Sequence, residues 1–192
     1  MGSSFFAMLS RMKYISRWAL MRNTERETLS EHSLETAVLA HALAVLRNTR
    51  FGGDVSAERV ALLALFHDAP EILTGDMPTP VKYFNPRLRS AYGEVEKASG
   101  ERLLAMLPED MRPEYEPLLL SDEQSEEHRL VKAADKLSAL IKCIEERKAG
   151  NLEFVSAEKA TRAALERMDM PEVGCFIDEF LDAYSLTLDE QS

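Results

Sequence analysis

Cysteine is scarce: Cys143 and Cys175 are the only two in a chain of 192 residues. They form no Cys-x-x-Cys pair, so neither a disulfide scaffold nor a cysteine-based zinc site is expected, and a reducing, cytoplasmic setting is. Long apolar runs are missing too. No stretch approaches the ~20 residues that a membrane-spanning helix needs, and the opening segment has only a short apolar patch without a small-residue cleavage signal, so no membrane association is expected. Position 6 is Phe6 rather than Ser or Thr, which leaves the Met1-Gly2 start without a myristoylation motif. Positive charge is in deficit, 23 Lys and Arg against 33 Asp and Glu, for a net charge of −10. Such a field repels phosphate polymers and disfavours a nucleic-acid polymer as partner, while leaving room for one nucleotide at one local cation.

Sustained period-2 alternation between turn residues is also absent, and most apolar residues recur at three- and four-residue spacing. The chain therefore reads as all-α, and its length, with 45% hydrophobic residues, suits a single domain over 1–192. Helices are expected near 5–15, 28–47, 56–68, 86–107, 109–119, 125–148, 156–168 and 171–186. Thr28 with Glu31 three residues on forms a capping box, Ser56 caps the next helix, and Ser121 with Gln124 repeats the box pattern ahead of 125–148. In 28–47, Leu34, Val38 and Val45 share one face and Leu39, Leu43 and Leu46 the opposite one, which predicts a helix buried nearly all round. Leu130, Ala134, Leu137, Ile141 and Ile144 form the core stripe of 125–148. Pro70 lacks an N–H and would clash with the carbonyl of Phe66, so the apolar run Val60–Phe66 must break near Asp68. Between Thr74 and Pro80 a loop stiffened by Pro78 and Pro80 is expected.

Histidine is the second scarce residue: His32, His41, His67 and His128. His67 is followed directly by Asp68 at the end of an apolar helix, offering an imidazole nitrogen and a carboxylate oxygen from a rigid base, donors that suit Mn, Co, Fe or Zn. His41 lies nine residues from His32, about 180° round the helix, and is read as a packed or hydrogen-bonded side chain. His128 stands about 10 Å from Asp135 along its helix, too far to share an ion. Asp135 is well off the stripe of its helix, so periodicity alone makes it a solvated residue.

The order His32, then His67-Asp68, then Asp135 resembles the HD-domain metal-dependent phosphohydrolases. Arg17-Trp18, Leu29-Ser-Glu-His-Ser33, Phe66-His-Asp-Ala-Pro-Glu71, Leu73-Thr-Gly-Asp-Met-Pro-Thr-Pro-Val-Lys82 and Val131-Lys-Ala-Ala-Asp-Lys-Leu137 narrow the likeness to the bacterial 5′-deoxynucleotidase family, over about residues 8–148. That resemblance implies a multi-helix HD bundle whose central buried helix pair carries the metal site. It implies His32, His67, Asp68 and Asp135 as ligands of one divalent transition metal (Co, Mn, Zn or Fe). Glu71 matches the catalytic acid/base, Arg17 the residue that orients the phosphate, and Trp18 a wall of the sugar pocket. The nucleotide is also expected to touch Asp76, Met77, Pro78 and Thr79 and, beside the ion, His32, Asp68 and Asp135. The substrate implied is a deoxyribonucleoside 5′-monophosphate, and the assembly a homodimer. Two alternatives stay open: an HD phosphohydrolase acting on a triphosphate, cyclic nucleotide or alarmone, and a non-catalytic nucleotide-binding module.

Overall fold

Helices form where the apolar spacing asks for them, and among the residues described by the computed structural model (2–82, 84–120 and 124–191) there is no strand, only an isolated bridge between Ser16 and Thr28. The chain starts with α1 (Phe5–Leu9), continued by a 3₁₀ turn over Ser10–Tyr14. An irregular segment then leads to α2 (Leu29–Arg50), whose first turn is closed by the expected Thr28/Glu31 capping box. Next comes α3 (Ala57–Phe66), with the Ser56 hydroxyl accepting from the Arg59 N–H.

The break after Phe66 falls where Pro70 demands it. Residues 67–71 are held by three-residue turns, Ala69 N–H to Phe66 carbonyl at 3.0 Å and Glu71 N–H to Asp68 carbonyl at 3.0 Å, and the short α4 (Glu71–Thr74) starts after the proline. The stretch expected as loop up to Pro80 contains one further helical turn, α5 (Thr79–Lys82). The remaining α-helices are α6 (Pro86–Ala105), α7 (Arg112–Leu119), α8 (Glu126–Lys148), α9 (Val155–Glu166) and α10 (Pro171–Phe180), the last extended by a 3₁₀ turn to Ser185, with further 3₁₀ turns at Leu152–Phe154 and Leu188–Glu190. Ser121 lies outside the described residues; the hydroxyl that caps α8 is that of Ser125, which accepts from the His128 N–H at 3.1 Å.

The centre is built by α2, α3 and α8, each packed on the other two. All five stripe residues of α8 are buried, as are Leu39, Leu43 and Leu46 of α2 and Val60, Leu63 and Phe66 of α3. One expectation fails: α2 is not buried all round. Leu34 and Val38 are each 62% exposed and Val45 39%, because their face points away from both partner helices. His41 lies on that same outer face, exposed rather than packed, within electrostatic range of Glu58 on α3. No helix among the described residues is long and apolar enough to cross a membrane.

Candidate active site

The capping box that starts α2 puts His32 in its first turn, facing α8 and the end of α3. His32, His67 and Asp135 offer ligand atoms within 4.8 Å of one another. Asp68 joins them: its Oδ1 is 3.2 Å from His67 Nε2 and its Oδ2 is 3.5 Å from His32 Nε2, while Asp135 Oδ1 lies 3.2 Å from the same His32 nitrogen. The structure thus brings together all four residues singled out as ligands. Asp135, solvated on periodicity alone, has its side chain 36% exposed and aimed at a fully buried histidine.

Hydrogen bonds fix which imidazole nitrogens face inward. Ser138 donates its hydroxyl proton to Glu35 Oε2 at 2.5 Å, so its oxygen is left to accept from His32 Nδ1 at 3.0 Å, and His32 Nε2 turns towards the carboxylates. His67 Nδ1 donates to the Ala64 carbonyl at 2.6 Å, and its Nε2 is buried with no hydrogen-bond partner. Two imidazole nitrogens and two carboxylates converging around an orphaned nitrogen fit a divalent cation, which satisfies lone pairs that otherwise repel. Burial and Arg17 work to lower the His32 pKa, but the carboxylates of Asp135, Glu27 and Asp68 overcome them and push it up to about 9. Burial likewise works against ionised Asp68 and Asp135, yet both are held well below the usual carboxylate range, Asp68 by His67, His32 and Arg17 and Asp135 by His32.

Beside this cluster opens a cavity of about 590 Å³, lined by Arg17, Trp18, Asp76, Met77, Pro78 and Asp135 among others. Arg17 Nη1 donates to Asp68 Oδ2 at 3.2 Å, while its Nε, buried without a hydrogen-bond partner, lies 3.5 Å from Glu27 Oε2, so the guanidinium is anchored to the cluster. Trp18 holds a left-handed backbone, φ 57°, which costs a non-glycine residue about 1–3 kcal/mol and persists only where the surroundings enforce it. Its indole donates to Glu27 Oε2 at 2.7 Å and lies 5.2 Å from the Phe154 ring. The side chain of Thr79 lies outside the described residues. Glu71 opens α4 and is 6% exposed with Oε2 unpartnered; burial first, then the charges of Asp68 and Asp76, push its pKa up to about 10.

Three participants escape a motif reading. Glu27 links Arg17, Trp18 and His32, its Oε1 3.6 Å from His32 Nδ1. Ser138 orients His32, and its position three residues after Asp135, on the same face of α8, is a signal the sequence carries. Lys136 also lines the cavity, so Arg17 is not the sole cation there. Lys82 is occupied elsewhere, 2.8 Å from Glu96 and over the Tyr92 ring. His128 sits half-buried in the first turn of α8, outside the ligand cluster.

The profile of the family described as 5′-deoxynucleotidase YfbR-like matches residues 4–184. The chain belongs to that family. Among YfbR-like relatives, 5′-deoxynucleotidase YfbR of Escherichia coli is 50% identical over 191 residues, 99% of this chain and 96% of that one. The 5′-deoxynucleotidase VV1113 of Vibrio vulnificus is 48% identical over 191 residues, 99% of this chain and 98% of that one. Of solved structures, an HD-domain phosphohydrolase from Listeria innocua superposes with a TM-score of 0.82 at 26% identity, over 94% of this chain and 88% of the other. The HD phosphohydrolase DatZ of cyanophage S-2L, solved with dA and one catalytic Zn²⁺, gives 0.66 at 19% identity over 93% and 95%, a likeness of fold. The YfbR-like chain is thus an all-helical HD phosphohydrolase.

Proposed function

We propose that the protein is a metal-dependent 5′-nucleotidase that hydrolyses deoxyribonucleoside 5′-monophosphates to deoxynucleoside and inorganic phosphate. The observation that carries this reading is the convergence of His32, His67 and Asp135, with Asp68 against both histidines, beside a cavity lined by Arg17, Trp18 and Asp135. These four side chains would hold one divalent ion; a His₂Asp₂ set accepts Mn, Co, Fe or Zn. When bound, such an ion supplies a water acidic enough to attack phosphorus near neutral pH and offsets phosphate charge. Arg17, held against Asp68 through Nη1, lines the cavity with a planar guanidinium suited to phosphate oxygens, and Lys136 adds positive potential.

Departure of the 5′ oxygen requires a proton. Glu71 holds one, because burial keeps its carboxyl protonated at neutral pH, and we assign it as the general acid. Trp18, Met77 and Pro78 would give the sugar a largely apolar wall. An apolar wall of that kind rejects an added hydroxyl by about 100-fold at most. Comparing phosphate release from dAMP and AMP tests the selectivity; preferential cleavage of a triphosphate would move the protein to a different HD activity.

We further infer that residues 1–192 act as one domain in the reducing cytoplasm, where Cys143 and Cys175 stay free thiols. The assembly we propose is a homodimer joined through the outer face of the α2–α3 pair, where Leu34 and Val38 of α2 and Leu62 and Leu65 of α3 are exposed. Light scattering of wild type and Val38→Glu checks it, the variant being expected at monomer mass.

A further inference from the structure

The segment between α1 and α2 carries Arg17, Trp18 and Glu27, yet it has almost no regular structure of its own. At its base it is closed by the Arg17 N–H on the Glu27 carbonyl at 3.0 Å and the Leu29 N–H on the Ile15 carbonyl at 2.9 Å. Its tip is held by a buried ion pair in the last turns of α8. Glu146, 1% exposed, accepts from the Thr24 N–H at 2.9 Å, the Thr24 hydroxyl at 2.6 Å, the Glu25 N–H at 3.2 Å and Asn151 Nδ2 at 2.8 Å. Lys142, 6% exposed, bridges Glu146 at 2.5 Å and the Glu25 carbonyl at 2.6 Å. Asn151 also donates to the Arg22 carbonyl at 2.6 Å, and Phe154, fully buried three residues later, backs the Trp18 ring.

A buried ion pair is a poor way to gain stability, since desolvation offsets most of the attraction and a packed apolar pair does as well. What this pair does supply is register. Two backbone N–H groups, one hydroxyl and one carbonyl of the same short segment are all satisfied by two side chains one turn apart on a rigid helix. Asp135, Ser138, Lys142 and Glu146 follow one another at three- and four-residue spacing along one face of α8. That face therefore serves the site twice, its N-terminal end at the ligand cluster and its C-terminal end at the segment that carries the other half of the pocket.

We propose that Glu146, together with Lys142, is a positioning residue for the nucleotide: it holds the Arg17–Trp18 segment in the conformation that takes up phosphate and sugar. The inference rests on the nucleotidase reading. It concerns substrate uptake, and none of the four proposed ligands lies on this segment, so its signature is a rise in KM that exceeds any change in kcat, at constant metal content.

Glu146→Ala and the milder Thr24→Val test it. Trp18 is the sole tryptophan, so its emission reports the segment's position independently of activity. Thr24→Val, which deletes one hydroxyl from an exposed residue and keeps the fold, is expected to raise the KM for dAMP about threefold, and Glu146→Ala about tenfold or more, with kcat within about twofold of wild type. Trp18 emission should shift to the red and become easier to quench with acrylamide, in the order Thr24→Val then Glu146→Ala. Wild-type KM together with wild-type emission in Thr24→Val and in a folded Glu146→Ala overturns the proposal, as does a loss confined to melting temperature or to kcat. If Glu146→Ala does not fold, Thr24→Val decides. A wild type that releases no phosphate defeats the nucleotidase reading instead, and the emission data then judge the clamp by itself.

Discussion

His32 and Ser138 share a hydrogen bond of 3.0 Å between the imidazole Nδ1 and the hydroxyl oxygen, and it orients the centre of the site. Because Ser138 spends its own proton on Glu35, it can only accept from His32, which leaves Nε2 facing Asp68 and Asp135. Removing that acceptor frees the ring to rotate. Ser138→Ala is expected to weaken metal affinity about 10- to 100-fold, the usual cost of losing an outer partner of a ligating histidine. Titration of the metal-free protein with Co²⁺, followed by its visible absorption, checks this; unchanged affinity contradicts the assigned tautomer.

Glu71 is buried in a place that favours its neutral form, and this predicts opposite effects on activity and stability. Its folded-state pKa of about 10 lies above the ordinary 4.5, so between those values the folded chain binds a proton that the unfolded chain lacks, and stability declines as pH rises. Gln cannot titrate. Glu71→Gln should lower kcat by about 10²- to 10⁴-fold, the usual share of a general acid, yet the metal-free variant should melt higher than wild type at neutral pH. Calorimetry at pH 7 and 9 measures the second effect, which should grow with pH. A lower melting temperature for the variant counts against the protonated carboxyl.

Glu146 behaves in the opposite sense. Burial works to raise its pKa, but hydrogen bonds from Lys142, Thr24 and Asn151 overcome it and hold the carboxylate well below its usual range. The stability this contributes is complete above the ordinary value near 4.5 and is lost as pH falls below it. Wild type should therefore lose melting temperature between about pH 5 and pH 3 more steeply than Glu146→Gln. Parallel curves in that window would show that the carboxylate contributes nothing.

Lys cannot take the phosphate role we propose for Arg17. An ammonium is a point charge that cannot reproduce a planar guanidinium held against Asp68, so Arg17→Lys is expected to raise KM about tenfold and lower kcat as well. Steady-state kinetics on dAMP reads both, and wild-type constants in the variant remove Arg17 from phosphate binding.

Much of this architecture is legible in the sequence because local chemistry dictates it. The Thr28/Glu31 box sets the register that presents His32, and Pro70 ends α3 where His67 and Asp68 are needed. Asp135 is less legible: its ion-pair partner His32 is about a hundred residues away, and its place off the apolar stripe makes it look like a solvated acid. The same face of α8 could have revealed it, because Asp135, Ser138, Lys142 and Glu146 keep core spacing while being polar. Glu27 leaves no such trace, lying in an irregular segment whose shape is imposed by tertiary bonds. The outer face of α2 misleads in the other direction, since Leu34, Val38 and Val45 read as core and are exposed. Apolar spacing tells which residues avoid water but not whether a neighbouring helix or another surface covers them.

The central claim is that His32, His67, Asp68 and Asp135 hold the ion that makes this chain a nucleotidase. Phosphate release from the deoxyribonucleoside 5′-monophosphates, measured before chelation, after it, and after addition of Mn, Co or Zn, tests that claim most directly. Release that disappears with chelator and returns with metal in wild type, but not in Asp135→Asn, is the result expected. Phosphate release that survives complete chelation, or none from any of these nucleotides under every metal, contradicts it.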